Sequence, residues 1–380
     1  MGECGVRLMQ LSTRGGQVKV IAAARASLPQ EMNAGSEGYH AALAAAIQQA
    51  YSEGGFSGNR VVTSLPVSSV QCKNLRLPMM PADELDSAVK WEAQDRFRMG
   101  KGQCCVQHMH AGNVNQGDEV RQELILLAAK LDQVESHVAA VTDCGLRPVA
   151  IDAVPSALAR LSAMRQTLLS AESNGSEVQV ILDIGQSATK VLIALDGQVR
   201  FYKPIEIGEG TFDSVLSGAM SISLDEAREL RRGIAAMAGD SEDPSDSPNA
   251  EQSAKVMEAL QPTLSELSRE VGLCLRYYGV TFRGARPGHA DLVGGGATPW
   301  LVSALGESAG LSLSLDQPLG GVDLSAVRDV IKPGTEGAWA VAAGLSIRDH
   351  MQQFTANPGA DQDEESSVFT ENATTKEVAA

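Results

Sequence analysis

No stretch of this chain approaches the roughly 18 consecutive apolar residues needed to cross a bilayer as a helix, so no helical span is expected. Aromatic residues make up only 4% of the 380 residues, which leaves Val, Leu, Ile and Ala to build the core. None of the six cysteines stands in a Cys-x-x-Cys pair. With no secretory leader in view, that usage predicts reduced thiols in a cytoplasmic protein. Val6 stands where an N-terminal acylation motif asks for Ser or Thr, so no acyl anchor is expected. Basic excess is missing too. A formal charge of −16 argues against a nucleic-acid surface. Direct membrane insertion and nucleic-acid binding are both excluded on these grounds, and any attachment to a membrane has to run through a partner.

The acidity is unevenly spread. Residues 240–251 hold five acids and no base, and residues 356–380 hold six acids and one lysine. Without these stretches the body carries about −6, ordinary for a soluble protein. The segment 239–250, with two prolines among its acids and serines, predicts a disordered acidic insertion, and residues 351–380 a disordered acidic tail.

Length allows two lobes with a sizeable core. Residues 5–28 alternate as two strands around Arg14-Gly15-Gly16. Residues 39–50 have helix-forming composition, with Leu43 and Ile47 four apart. A strand at 60–66 follows. Residues 67–144 read as an inserted α/β module: a strand at 68–77, a helix from Asp83 to about Arg98 with Leu85, Val89 and Ala93 on one stripe, and a strand at 103–110. A Gly/Asn turn, a strand at 123–130 and a helix from Leu131 to Cys144 complete it. A strand at 147–152 ends in Asp152, and Pro155 opens the next helix.

The chain is organised around residues 178–205, an antiparallel meander. Its first turn follows Asp183-Ile184-Gly185, and Asp196-Gly197 makes the second. The first turn suits phosphate. Gly185 lets main-chain N–H groups approach an anion, Ser187 and Thr189 offer hydroxyls, and Asp183 can orient a hydrated Mg²⁺. An ordinary hairpin turn has the same composition. Beyond it, Ser223 and Glu226 form a capping box. A long helix, roughly 251–278, carries Pro262, where a kink is expected. A strand at 289–293 runs into Gly294-Gly295-Gly296 ahead of a Pro-started helix, which exposes backbone and a helix N-terminus to a ligand. A strand at 311–315 and a small-residue helix from Gly337 close the body.

Asp152 could orient a water or a Mg²⁺ ion against a terminal phosphate; capping of the following helix suits it equally. Cys104, His108 and His110 share one face of a strand without a fourth ligand in view. Arg228, Arg231 and Arg232 suit a solvated helix face as well as a phosphate clamp.

The order of these elements resembles the actin-like ATPase superfamily. The stretches Leu65–Val70, Leu75–Met79, Asp83–Gln94, Glu123–Lys130, Cys144–Asp152 and Ala157–Arg160 are similar to the PilM family of type IV pilus assembly. So are Asp183–Lys190, Ile222–Leu230, Val293–Leu301 and Ala338–Leu345. The resemblance covers nearly the whole chain. It implies an α/β, bilobed actin-like ATPase fold of two RNase H-like domains with an inserted FtsA/PilM-type subdomain at 67–144. The first lobe would comprise 1–66 and 145–170, and the second 171–350. It further implies ATP and Mg²⁺ between the lobes, held by Asp183, Gly185, Ser187, Thr189 and the Gly294–Gly296 loop, with Arg231 ending the nucleotide grip at Ala227–Arg231. Asp152 would be the catalytic carboxylate. The implied partner is a single-span membrane protein of the PilN type, bound through its cytoplasmic N-terminal peptide; self-association is left open.

Three departures from the family pattern bear on mechanism. The first phosphate hairpin lacks its Asp-x-Gly, with Arg7 where Lys is usual, so either the true start lies upstream of Met1 or the site is degenerate. Val154 replaces a glutamate, and Arg228 replaces an acid of the nucleotide grip. ATP binding with little or no hydrolysis is therefore expected. A sugar kinase of the same superfamily would need an intact first phosphate loop. An FtsA-like division protein would need a C-terminal amphipathic helix, whereas this tail is acidic and would be repelled by anionic lipid.

Overall fold

The computed structural model describes residues 1–14, 17–29, 32, 35–98, 102–169, 178–237, 250–284, 286–309 and 311–353. The acidic stretch 239–249, the tail from 354 and the expected turn residues Gly15 and Gly16 lie outside the described residues. Strands β1 (Gly5–Ser12) and β2 (Lys19–Ser27) pair as an antiparallel hairpin with a bulge at Gln10/Leu11. Helix α1 (Tyr39–Glu53) covers it. The helical period of Leu43, Ala46, Ile47 and Ala50 puts all four on the buried face. Each fully buried leucine or isoleucine there contributes roughly 2 kcal/mol. Strand β3 (Arg60–Thr63) leads out of this cluster, and β7 (Arg147–Ile151) returns beside it in parallel.

Between them lies the inserted module: β4 (Val70–Pro78), α2 (Ala82–Phe97), β5 (Cys104–Gln116), β6 (Glu119–Lys130) and α3 (Leu131–Asp143). Its antiparallel sheet has the order β4-β6-β5. The expected stripe of α2 packs on it, with Val89, Ala93 and Phe97 against Leu75, Leu124 and Leu126. One expectation fails here. The strand expected to end at 110 carries a bulge between His110 and Gly112 and continues to Gln116, so the Gly/Asn turn reverses at Gly117. The bulge exposes the Ala111 carbonyl, which accepts a hydrogen bond from Arg200 at 2.9 Å.

After α4 (Val154–Leu169), the meander forms as expected: β8 (Val178–Ile184), β9 (Thr189–Leu195) and β10 (Gln198–Ile205). Helices α5 (Glu209–Met220), α6 (Leu224–Met237) and α7 (Ala250–Phe282) follow. The Ser223/Glu226 capping box is present, with Ser223 Oγ accepting from the Glu226 N–H at 3.2 Å. Helix α7 runs through Pro262 and past the expected end at 278, stopping where Arg283 turns left-handed. Strand β11 (His289–Val293), α8 (Pro299–Ala309) and β12 (Ser312–Leu315) complete a five-stranded sheet of order β10-β9-β8-β11-β12. The last two strands run parallel to β8. The expected helix at 337–348 begins as a tight 3₁₀ turn, Glu336–Trp339, before α9 (Ala340–Ser346).

One of the two large cores joins the first hairpin to the five-stranded sheet. Leu158, Leu161 and Met164 of α4, Ala340 and Ala343 of α9, Ile181 and Leu192 of the large sheet, and Val20 of the first hairpin form one cluster. Helices α4 and α9 therefore cross at the joint, and the polar ends of β1 and β8 are left facing each other across a cleft.

Candidate functional site

The β8–β9 turn closes on itself, the Gly185 N–H donating to the Ala188 carbonyl at 3.0 Å. Its outer carbonyls are then taken by the start of α5. Glu209 N–H donates to Gly185 and Gly210 N–H to Gln186, each at 2.9 Å. Gly208 permits that approach, because a Cβ there would stand 2.6 Å from the Gln186 carbonyl oxygen. The helix N-terminus that could have met an anion is thus spent on holding the turn rigid.

Antiparallel register sets Asp183 opposite Lys190. Lys190 Nζ lies 2.7 Å from Asp183 Oδ2, with both side chains nearly buried. The contact is charge against charge, since Oδ2 makes no hydrogen bond of good geometry. From the facing lobe Arg7 reaches into the same cleft, its Nε buried with no hydrogen-bond partner. Burial, with the nearby Arg25 adding to it, holds the Arg7 pKa below its ordinary value, while Glu209 and Asp183 work against that shift. Sequence reasoning gave neither Arg7 nor Lys190 a ligand role. The signal was present: Lys190 closes the motif, two strand positions after the turn.

The other expected residues are distributed as follows. Ser187 is exposed on the turn and lines the cleft, as do Gly185, Gly294 and Gly295. Gly294 has φ 99°, and a Cβ there would fall 2.5 Å from Asp183 Oδ1, so the strand ends meet only because this residue is glycine. Gly294 N–H donates to the Gly337 carbonyl at 2.9 Å and Gly296 N–H to Ile184 at 3.1 Å, so these amides serve the fold. Thr189 is fully buried, and its hydroxyl donates to the Ile207 carbonyl at 2.7 Å, away from the cleft.

Arg231 does not line the cleft either. Its Nε donates to Asp213 at 2.7 Å and its Nη2 to Glu209 at 3.0 Å. Burial alone would lower its pKa, but Asp213 and Glu209 outweigh that and the net shift is upward. Arg231 thus positions Glu209, which borders the cleft.

Asp152, expected to face the phosphate, is turned away. Its carboxylate pairs with Arg160 of α4 and lies 3.7 Å from Arg348, and it accepts from the Ala153 N–H at 2.7 Å. A buried carboxylate without compensation would cost several kcal/mol, and the two arginines supply that compensation. Asp152 borders a separate, smaller cavity with Val70 and Tyr202. The strand face carrying Cys104, His108 and His110 forms no metal cluster: among the described residues no group of three His, Cys, Asp or Glu is arranged to hold an ion.

The cleft encloses about 160 Å³, against roughly 300–1,000 Å³ for ordinary ligand pockets. Two cations and an unpartnered buried Arg7 nitrogen fit a phosphoryl anion. A divalent ion fits poorly, because the carboxylate expected to orient it already faces an ammonium. A second groove of about 170 Å³ opens where the inserted module leaves the first lobe, lined by Tyr39, Leu65, Pro66, Ser69 and His137. His137 shares a hydrogen bond of 3.0 Å with Thr63 Oγ1, while its Nδ1 has no partner. Burial pushes its pKa down to about 3. Leu65 borders the cleft on one side and this groove on the other.

Compared with known families, residues 1–350 match the type IV pilus assembly protein PilM. No curated protein matches significantly. Among solved structures, a PilM-PilN type IV pilus biogenesis complex is similar with a TM-score of 0.73 and 23% identity, covering 92% of this chain and 96% of that one. The ethanolamine utilization protein EutJ from Carboxydothermus hydrogenoformans has a TM-score of 0.38 at 16% identity, covering 57% and 60% of the two chains. MreB5 of Spiroplasma citri bound to ADP has 0.39 at 14%, covering 59% and 67%. These two likenesses are too slight to support an inference.

Proposed function

The chain belongs to the type IV pilus assembly protein PilM family, and from that premise we propose a nucleotide-responsive scaffold that couples an interlobe cleft to a partner groove. Residues 1–66 and 145–170 make one lobe, 171–350 the other, and 67–144 the inserted subdomain. No helix among the described residues is long and apolar enough to cross a membrane. The protein works in the cytoplasm, held at the inner membrane by a PilN-type single-span partner whose N-terminal segment docks in the groove beside His137.

The observation that carries this reading is the position of Leu65. One residue forms a wall of both cavities, so a change in cleft width displaces the groove. A ligand that prefers the closed lobes then shifts the population of partner-binding states. ATP enters with the lobes more open than here, its phosphates toward Arg7 and Lys190. When bound it would supply a polyphosphate for the two lobes to close upon. Hydrolysis is slow or absent, because Asp152 is committed to Arg160 and Arg348, and Val154 borders the cleft where a carboxylate would be needed.

The test is the affinity of the partner's N-terminal peptide for the full chain, measured by calorimetry with and without ATP. Tighter binding in one nucleotide state is expected. Absence of binding in both conditions would sink the scaffold reading, and equal binding in both would remove its nucleotide response.

A further inference from the structure

We propose that the cleft takes its phosphoryl anion on Arg7 and Lys190 without a divalent cation, and that Asp183 restrains Lys190 instead of anchoring a metal. The inference rests on the nucleotide reading above and sharpens its chemistry. The charged side chains lining the cleft are Glu3, Arg7, Asp183, Lys190 and Glu209. Each acid among them is already engaged. Glu3 accepts from the Ser68 N–H at 3.1 Å, Glu209 from Arg231 at 3.0 Å, and Asp183 faces Lys190 at 2.7 Å. On its other side Asp183 Oδ1 lies against Gly294 so closely that a Cβ there would be 2.5 Å away.

Magnesium demands near-ideal octahedral oxygen coordination at about 2.1 Å and keeps several of its waters. Asp183, which alone among the described cleft acids makes no hydrogen bond to another part of the fold, offers one oxygen to an ammonium and has the other beside the Gly294 backbone. A divalent ion placed there would also stand against Lys190, a like charge at low effective dielectric. The cations, in contrast, are less fully engaged. Arg7 Nε is buried and unbonded, and Lys190 faces Asp183 alone. A pyrophosphate-type anion supplies what both lack, so the two side chains do the neutralising usually left to a metal.

The sign of one substitution separates the two roles of Asp183. Were it a metal anchor, Asp183→Asn would abolish binding. As a restraint on Lys190, the same isosteric change frees the ammonium and leaves binding equal or tighter. The experiment is calorimetric titration of the full chain with inorganic pyrophosphate, and in parallel with ADP, in EDTA and in excess magnesium. We expect binding in EDTA at least as tight as in magnesium, retained or strengthened in Asp183→Asn and weakened about tenfold in Lys190→Met, the loss of one charge-assisted hydrogen bond. Because Lys190→Met strands a buried carboxylate, the double variant Asp183→Asn/Lys190→Met removes both charges together. It should fold and still bind about tenfold more weakly than Asp183→Asn. Binding that requires magnesium and disappears in Asp183→Asn would overturn this inference and leave the nucleotide reading standing. No binding of either probe under any condition would overturn both.

Discussion

Replacing Gly344 with alanine tests the packing of α9 on α4, the joint on which the proposed lobe movement depends. Gly344 lies on α9 where it crosses α4. A methyl group there would overlap the Ala157 carbonyl oxygen, with the carbonyl carbon 2.5 Å and the Ala157 Cα 3.0 Å away. Carbon atoms in contact prefer about 3.5–4.0 Å, so the helices would have to part by about 1 Å. The obstruction is main chain, so no rotamer change relieves it. The helices carry Leu158, Met164, Ala340 and Ala343 of the core at the joint, all of which lose contact as the axes separate. Overpacking of this kind costs about 3 kcal/mol, the upper part of the usual range. At about 2 °C per kcal/mol, suited to a chain larger than 150 residues, the melting temperature should fall by about 6 °C. The assay is thermal unfolding followed by circular dichroism. Ala157→Gly in the same background should give no rescue, because it removes a Cβ and leaves the carbonyl in place. A Gly344→Ala protein melting within about 1 °C of the parent would refute the reasoning.

Three further outcomes are expected. Thr189→Val should lower stability by about 1–2 kcal/mol, since it leaves the buried Ile207 carbonyl without its donor; pyrophosphate affinity, read by calorimetry, should not change. Arg231→Met should cost about 3 kcal/mol in denaturant unfolding, because Asp213, with 1% of its side chain exposed, keeps only Arg228 at 3.5 Å as a partner. His137 is neutral when folded, its pKa pushed down by burial to about 3, against about 6.5 unfolded. The unfolded chain therefore takes up a proton first as pH falls. Stability should drop by up to about 1.4 kcal/mol per pH unit between pH 6 and pH 4 from this residue, and His137→Gln should flatten that part of the profile; an unaltered slope would exclude His137 as its source.

Much of this protein is decided by its sequence alone, wherever the governing interaction is local. The apolar runs of β8 and β9 with the turn between them, the stripe on α2 and the capping box at Ser223 need only neighbours within a turn or a hairpin, and each appears as expected. The order of Asp183-Ile184-Gly185, Gly294–Gly296 and Ala338–Leu345 pointed to a cleft through its resemblance to the actin-like pattern. What the side chains do there was settled only by tertiary structure. Asp152 has a strand-end position suited to catalysis, yet Arg348 arrives from the far end of the chain to help neutralise it. Thr189 and Arg231 look like ligands in a motif, yet one bonds to Ile207 and the other to Asp213 and Glu209. Ala111 follows the expected end of its strand, yet it forms a bulge whose exposed carbonyl meets Arg200. Burying a charge or a polar group obliges the fold to find it a partner, and nothing in a local pattern says which distant residue that will be. For the same reason the pairing of Asp183 with Lys190, legible as a cross-strand register, gained its meaning only when Arg7 closed the cleft from the other lobe.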